Sequence, residues 1–167
     1  MLGSGRNETN LESTVAKRNG KMDALALLKE DHAKVKQSFK EFEKMDHEDK
    51  ATLQEMVRAV CAELKIHTTI EEEIFYPAAR EAIEDEDLFN EAQVEHQSAK
   101  DLIEQLENMK PDDPLYEATF TVLCEYVLHH VKEEEGEMFP KVKRAKLDLE
   151  GLGQQMLVRK EELKAQS

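Results

Sequence analysis

Apolar residues recur at alternating spacings of three and four along four segments of the chain. In the first segment, the resulting stripe is Leu25, Leu28, His32, Val35, Phe39 and Phe42. Such stripes are typical of amphipathic helices that pack against one another in a bundle. The pattern therefore predicts four helices, from about Asp23 to Met45, Lys50 to Ala82, Asp87 to Met109 and Pro114 to Val142.

Short polar breaks separate these segments: HED at 47–49, EDED at 84–87 and KPDDP at 110–114. Asp and Pro are favoured where helices begin, and such short connections place consecutive helices side by side and antiparallel. The sequence therefore predicts an all-α protein, an up-down-up-down four-helix bundle over residues 22–142.

Two flanking regions lie outside the predicted bundle. Residues 1–21 are polar and contain several glycines, and we expect a flexible N-terminal extension there. Residues 143–167 are interpreted as a C-terminal tail with a short additional helix that starts after Gly151 or Gly153. The apolar residues that can dock this tail on the bundle are Leu149, Leu152, Met156 and Leu163.

The inward stripes also contain ionisable residues, at positions that the periodicity assigns to the core. These are His32, His67, Glu71, His96, His130 and Glu134. A buried carboxylate without a partner costs several kcal/mol, which a marginally stable domain does not tolerate repeatedly. A single inward histidine is most often a satisfied core residue, and a single HxxxE is most often a surface pair. Six such residues on four stripes favour a metal site instead.

The second half of the chain repeats the first. HTTIEEEIFYP from His67 matches HVKEEEGEMFP from His130 at an offset of 63. One helix earlier, EDH ending at His32 matches VEH ending at His96 at an offset of 64. Each half is therefore a helical hairpin in which a histidine is followed, about 34 residues later, by HxxxE.

Helix geometry places the four histidines near one level of the bundle. His32 lies about 20 Å before the end of its segment, and His67 lies about 25 Å into the next. The HxxxE spacing puts the imidazole and the carboxylate on one helix face, one turn apart. Four imidazoles and two carboxylates suit a pair of metal ions, with the carboxylates bridging them.

The other histidines are interpreted as surface residues. His129 and Glu133 form a rival i, i+4 pair, but the stripe and the repeat both favour His130 and Glu134. His47 lies in a polar turn, where we expect it to be solvated.

The tyrosines and cysteines are assigned structural roles. The residues interpreted as packing residues are Tyr76, Tyr116 and Tyr126, of which Tyr76 is close enough to the site to tune it. Cys61 and Cys124 lie inside helical patterns, and we expect them to be buried free thiols.

Composition and net charge indicate which kinds of partner this protein does not bind. The 167 residues include six Gly and four Pro, and the formal net charge is −14. Such an acidic surface repels a phosphate backbone and an anionic membrane, so we expect neither nucleic acid nor membrane as a partner. No apolar run is long enough to span a bilayer and the N-terminus has no signal-peptide core, so we expect a cytoplasmic protein.

The pattern H…HxxxE…H…HxxxE over residues 22–142 resembles the hemerythrin-like (HHE cation-binding) family of non-haem di-iron proteins. The resemblance implies two iron ions, bridged by Glu71 and Glu134 and by an oxo group. By the same resemblance, His32 and His67 would bind one iron, and His96 and His130 the other. The tail also looks like the C-terminal extension of that family.

This chain departs from the oxygen-carrying hemerythrins at Lys100, where they have a further histidine, and in using HxxxE instead of HxxxxD on the fourth helix. The departure predicts two nearly equivalent metal sites, with Glu133 or Thr68 as candidates for a further ligand. We expect a protein that binds or reacts with dioxygen, peroxide or nitric oxide. A peroxide-disproportionating or iron-oxidising enzyme and a metal-bound structural or regulatory module remain alternatives.

Overall fold

A computed structural model gives the structure of residues 22–167, and the extension predicted for residues 1–21 lies outside the described part of the chain. Within residues 22–167 the chain forms five helices and no strand, so the predicted all-α fold is confirmed. The helices are α1, Ala24–Lys44; α2, Lys50–Ile70 continued by Glu71–Phe75 and Tyr76–Ala82; α3, Glu86–Asn108; α4, Tyr116–Glu133 continued by Glu134–Met138 and Phe139–Arg144; and α5, Leu149–Gln166.

The first four helices form the predicted bundle. Helix α1 packs against α2 and α4, and α3 packs against the same two helices from the other side. Helices α2 and α4, which carry the two HxxxE motifs, therefore face each other across the bundle axis. In the part of the chain that the structure describes, no helix has both the length and the apolar character needed to cross a membrane.

Aspartates cap the start of four helices. The side-chain oxygens of Asp23, Asp49, Asp85 and Asp148 accept hydrogen bonds of 2.8–3.3 Å from backbone N–H groups in the first turn. These bonds satisfy amide groups that the start of a helix leaves unpaired. Helix α4 begins at Tyr116, two residues later than the sequence predicts, and its first turn has no side-chain cap.

The six inward ionisable residues form a layer across the bundle, called the polar layer here, which divides the core into two apolar clusters. One cluster, nearer the α1–α2 and α3–α4 turns, includes Phe42, Leu53 and Phe120, which are at most 7% exposed. The other, at the opposite end of the bundle, includes Leu28 and Phe75, which are fully buried. In each helix the six inward ionisable residues occur where one cluster gives way to the other. Dense packing on both sides therefore fixes the four helices around the polar layer.

Helices α2 and α4 each contain a π-helical turn that starts at the glutamate of HxxxE. The N–H of Tyr76 bonds the carbonyl of Glu71, and the N–H of Phe139 bonds the carbonyl of Glu134. These i→i+5 bonds place one extra residue in the turn. A proline follows each aromatic residue, and because proline has no N–H it cannot continue the α-helical hydrogen bonds.

Helix α5 packs on α1 and α2. It begins at Leu149 and contains both glycines, so the prediction that it starts after Gly151 or Gly153 is wrong. A Cβ atom at Gly153 would lie 2.8 Å from backbone atoms of residues 22–24, so the glycine permits a close approach to the start of α1. Met156 is fully buried against the bundle, as the docking prediction requires.

Candidate metal centre

The structure brings all six inward ionisable residues together in the polar layer. They are His32 from α1, His67 and Glu71 from α2, His96 from α3, and His130 and Glu134 from α4. Five of them are buried and His130 is half-buried. A layer this polar inside a bundle is destabilising unless its donors and acceptors are satisfied.

His32 and His67, with Oε1 of Glu71 and Oε1 of Glu134, form what we call the first donor set. Nε2 of His67 lies 2.9 Å from Oε1 of Glu71, and Nε2 of His32 lies 3.3 Å from Oε1 of Glu134. Among residues 22–167, none of these four buried atoms has a hydrogen-bond partner. The four atoms are close together, yet they are not aligned for hydrogen bonds with one another. Donor atoms that point at a common metal ion are arranged in this way.

His96 and His130, with the Oε2 atoms of the same glutamates, form the second donor set. Nε2 of His96 lies 2.9 Å from Oε2 of Glu71, and Nε2 of His130 lies 3.2 Å from Oε2 of Glu134. The two Nε2 atoms are 3.2 Å apart, and Nε2 of His130 is 4.0 Å from Oε2 of Glu71. Around an octahedral ion with ~2.1 Å bonds, neighbouring donors lie about 3 Å apart and opposite donors about 4.2 Å.

Glu71 and Glu134 each divide their two oxygens between the donor sets. A carboxylate that does so can bridge two metal ions. Each set offers two imidazole nitrogens and two carboxylate oxygens, a mixture that suits iron, manganese or zinc. The donor chemistry and spacing therefore fit a pair of metal ions.

Each of the four histidines has a carboxylate behind its ring, at Nδ1. The distances from Nδ1 to oxygen are 2.9 Å for His32 with Glu135, 3.1 Å for His67 with Asp31, 3.0 Å for His96 with Glu72 and 2.8 Å for His130 with Glu95. A ring that donates from Nδ1 keeps the Nε2 lone pair free for a metal. The four carboxylates therefore orient all four Nε2 atoms towards Glu71 and Glu134.

The sequence interpretation missed these four carboxylates, although the repeat contains them. Asp31 and Glu95 directly precede the first histidine of each hairpin, and Glu72 and Glu135 directly follow the glutamate of each HxxxE. Each leading acid binds the second histidine of its own hairpin, and each trailing acid binds the first histidine of the other hairpin. The trailing acids thus connect the two halves of the bundle.

Lysines contact three of these carboxylates from outside the layer, and the longest contact is that of Lys36 of α1 with Glu135, at 4.0 Å. Lys160 of α5 contacts Asp31. Lys100 of α3 donates to both oxygens of Glu72, at 2.7 and 2.6 Å. Lys100 stands where oxygen carriers have a further histidine, and here it holds the carboxylate that orients His96.

Tyr76 lies inside the site and is more than a packing residue. Its hydroxyl oxygen is 2.6 Å from Oε2 of Glu134, 3.1 Å from Oε2 of Glu71 and 3.2 Å from Nε2 of both His96 and His130. The π-helical turn aligns Tyr76 with Glu71, five residues earlier, whereas a regular α-helix would rotate it about 140° away. The proline that follows Tyr76 in the sequence was the available signal of this break.

The ionisable groups of the layer shift one another's pKa values. Burial lowers the pKa of His67, but Glu71 and Asp31 outweigh burial and raise it to about 10. Burial raises the pKa of Glu71, but His67 and His96 outweigh burial and hold this pKa well below 4.5. A proton on His67 therefore balances the buried carboxylate of Glu71 whenever no metal ion does so.

An apolar cavity of about 30 Å³ lies beside the four histidines. Its apolar lining residues are Val35, Leu64, Ala99, Val127 and Val131. Tyr126, which is 48% exposed, also lines this cavity. A space of this size admits roughly one or two water-sized groups, which is enough for a diatomic molecule.

The remaining candidate histidines lie away from the donor sets. The His129 side chain is 64% exposed and pairs with Glu133 at 3.1 Å, near the surface. His47 is half-buried and bonds Glu117 and, at 2.7 Å, the carbonyl of Phe42, so it is less solvated than predicted.

Two further predictions concern Thr68 and the cysteines. The hydroxyl of Thr68 donates to the carbonyl of Lys65 at 3.1 Å and lines the cavity. Cys61 and Cys124 are confirmed as buried free thiols, and burial raises the pKa of each to about 12. Neither thiol is ionised at neutral pH, which makes both unreactive.

The sequence-family model of the hemerythrin HHE cation binding domain matches residues 23–145 of this chain. The chain belongs to this family. The resemblance seen in the H…HxxxE repeat is therefore confirmed. The HHE domain here is a metal-binding helical domain, with its buried His and Glu groups in the polar layer.

Two known proteins show how far the likeness of this HHE protein extends. A crystal structure of an HHE cation binding domain-containing protein from Mycobacterium kansasii has a TM-score of 0.74 and 26% sequence identity, covering 87% of this chain and 89% of that one. A DNA nickase from Nostoc sp. is 28% identical over 122 residues, which are 73% of this chain and 34% of the nickase. The chain thus spans about one third of the length of this curated relative.

Proposed function

We propose that this HHE protein holds two iron ions and that a small ligand, dioxygen, peroxide or nitric oxide, binds or reacts there. The observation that carries the proposal is the first donor set, whose four buried atoms have no hydrogen-bond partner among residues 22–167. Each such atom costs about 1–3 kcal/mol when it stays unsatisfied. A cation between these atoms would remove that cost.

The six inward residues would hold the ions in pairs. His32 and His67 would bind one ion and His96 and His130 the other, with the glutamates of both HxxxE motifs as bridges. Mixed imidazole and carboxylate donors projecting from a four-helix bundle suit paired iron ions. Bound iron would supply a redox-active ion with coordination positions left for a small ligand.

The surrounding residues would control what reaches the ions. The carboxylates at Nδ1 hold the rings in place, so ligand binding requires little reorganisation. The two apolar clusters exclude bulk water from both ends of the layer. The cavity beside the histidines is apolar and about 30 Å³ in volume, which favours small, uncharged ligands.

The likeness to a DNA nickase does not lead us to propose a nucleic-acid substrate. The match covers 34% of that protein. The formal net charge of −14 on this chain also opposes a phosphate backbone. We propose a small ligand as the partner of this centre, and no nucleic acid.

Metal analysis combined with optical spectra tests the proposal. We expect two irons per chain and a spectrum that changes on adding dioxygen, peroxide or nitric oxide. His130→Gln should lose iron, whereas the adjacent His129→Gln, which removes an exposed imidazole, should retain both ions. Protein that contains no stoichiometric metal, and gains no thermal stability from added Fe(II), would refute the proposal.

The same measurements separate the alternatives. Sustained turnover of peroxide that is lost in Glu71→Ala would indicate an enzyme, whereas a single stoichiometric spectral change would indicate binding. A tightly bound metal whose spectrum does not change on adding dioxygen, peroxide or nitric oxide would indicate a structural or regulatory module.

A further inference from the structure

We propose that the phenol oxygen of Tyr76 is a direct ligand of the ion held by the second donor set. The two ions would then be chemically different, contrary to the nearly equivalent sites that the sequence predicts. This inference rests on the proposed metal centre, but the experiment below can reject it while the centre itself stands.

The distances around the Tyr76 hydroxyl are those of a neighbouring donor in a coordination shell. The oxygen lies 2.6–3.2 Å from four donor atoms of the second set at once. The O–H can donate to only one of these atoms and the oxygen can accept from one or two more, so hydrogen bonding does not account for all four contacts. Across the set, Nε2 of His130 and Oε2 of Glu71 are 4.0 Å apart, and half of this distance is about 2.0 Å, a normal metal–nitrogen or metal–oxygen bond.

The internal repeat provides a comparison for Tyr76. The residue of α4 that corresponds to Tyr76 is Phe139. The Phe139 ring stacks on His32 of the first donor set, with the ring centroids 6.0 Å apart and the planes 7° apart. Phenylalanine has no oxygen to offer. The first set therefore has four protein donors and the second set has a fifth, in Tyr76.

The π-helical turns explain how both rings reach the layer. Each aromatic residue lies five positions after a bridging glutamate and forms the i→i+5 backbone bond to it. Tyr76 is 6% exposed and Phe139 is 1% exposed. The backbone therefore presents both rings to the layer, and the hydroxyl is the difference between them.

This asymmetry assigns different roles to the two ions. The ion at His32 and His67 keeps more open positions, so it is the one that would bind an external ligand. On coordination of a ferric ion, Tyr76 loses its hydroxyl proton to solvent and binds as phenolate. No other bond is made or broken in that step.

Optical and resonance Raman spectra of the ferric protein test the inference. A phenolate bound to Fe(III) gives a visible charge-transfer band whose excitation enhances tyrosine ring vibrations. We expect this signature in the native protein, its loss in Tyr76→Phe, and its persistence in Tyr126→Phe, which removes the hydroxyl of the tyrosine beside the cavity. Phe139→Tyr should add a second phenolate contribution at the first donor set.

The outcomes distinguish the two proposals. Iron-loaded native protein without tyrosine ring modes, or with modes that survive Tyr76→Phe, would overturn the role of Tyr76 and leave the metal centre in place. Native protein that binds no iron would overturn the centre itself. If native protein shows the band and Tyr76→Phe binds one iron instead of two, with circular dichroism unchanged, the ligand role is supported.

Discussion

Lys160 contacts Asp31 across the interface between α5 and α1, and Asp31 accepts a hydrogen bond of 3.1 Å from Nδ1 of His67. The side chains of all three residues are at most 13% exposed. The tail helix therefore adds a positive charge two hydrogen bonds away from the candidate metal centre, where solvent screening is weak.

Replacing Lys160 by Met should lower the reduction potential of the iron at His67. Without the lysine, Asp31 attracts the Nδ1 proton of His67 more strongly, which makes the imidazole a better donor to Fe(III). Loss of a nearby positive charge also stabilises Fe(III) and so lowers the reduction potential. A redox titration followed by absorbance measures the change, with Lys164→Met as the control on the same helix. An unchanged or higher potential in Lys160→Met would contradict the expected coupling.

Glu72→Gln should weaken metal binding at the second donor set by about 10–100-fold, the usual effect of removing a carboxylate behind a ligating histidine. Glu72 accepts from Nδ1 of His96 at 3.0 Å, and this bond, together with the pair with Lys100, holds the pKa of Glu72 below 4.5. The neighbouring Glu73 binds Arg159 instead, so Glu73→Gln is the matched control. Competition with a chromophoric chelator gives both affinities, and equal losses in the two variants would argue against a specific role for Glu72.

The stabilisation that Fe(II) confers should grow as the pH rises from 6 to 9. The pKa of His67 in the metal-free protein is raised from 6.5 to about 10, so this histidine stabilises the metal-free fold fully below pH 6.5 and progressively less as pH rises through 10. A metal ion needs the neutral ring and must displace the proton, so metal affinity rises roughly tenfold per pH unit for each displaced proton. Thermal unfolding under anaerobic conditions, with and without Fe(II), measures the difference, which a flat profile would contradict.

Gly153→Ala should destabilise the docking of α5 by about 1–3 kcal/mol, the usual cost of overpacking. The added Cβ would lie 2.8 Å from backbone atoms of residues 22–24, which cannot rotate away. Gly136→Ala is the control, because its Cβ would meet no atom of the described part of the chain, residues 22–167, within 4 Å. Urea unfolding and limited proteolysis of α5 report the loss. Equal stability of the two variants would show that the close approach at Gly153 is not important.

The sequence was sufficient to predict the four-helix bundle and the meeting of the six ligand-type residues inside it. The helical period and the internal repeat agree at each of these residues. The sequence was insufficient for Tyr76, since an α-helical period fails beyond Glu71, where the π-helical turn begins. Asp31 and Glu72 lie beside the inward stripe, so periodicity alone assigned them no role. The contact of Lys160 with Asp31 joins residues 129 positions apart and depends on how α5 docks, which no local pattern specifies.

Helix α5 packs mainly on α1 and α2, the helices of the first half of the repeat. Arg159 of this helix binds Glu73, whereas the counterpart of Glu73 in the other half is Gly136, and no atom of residues 22–167 would lie within 4 Å of a Cβ there. Of the six inward residues, His130 also has the most exposed side chain, at 12% within residues 22–167. A chelator should therefore extract the two ions in two kinetic phases, the first from the side of His130, because the exchange rate follows solvent access and not affinity.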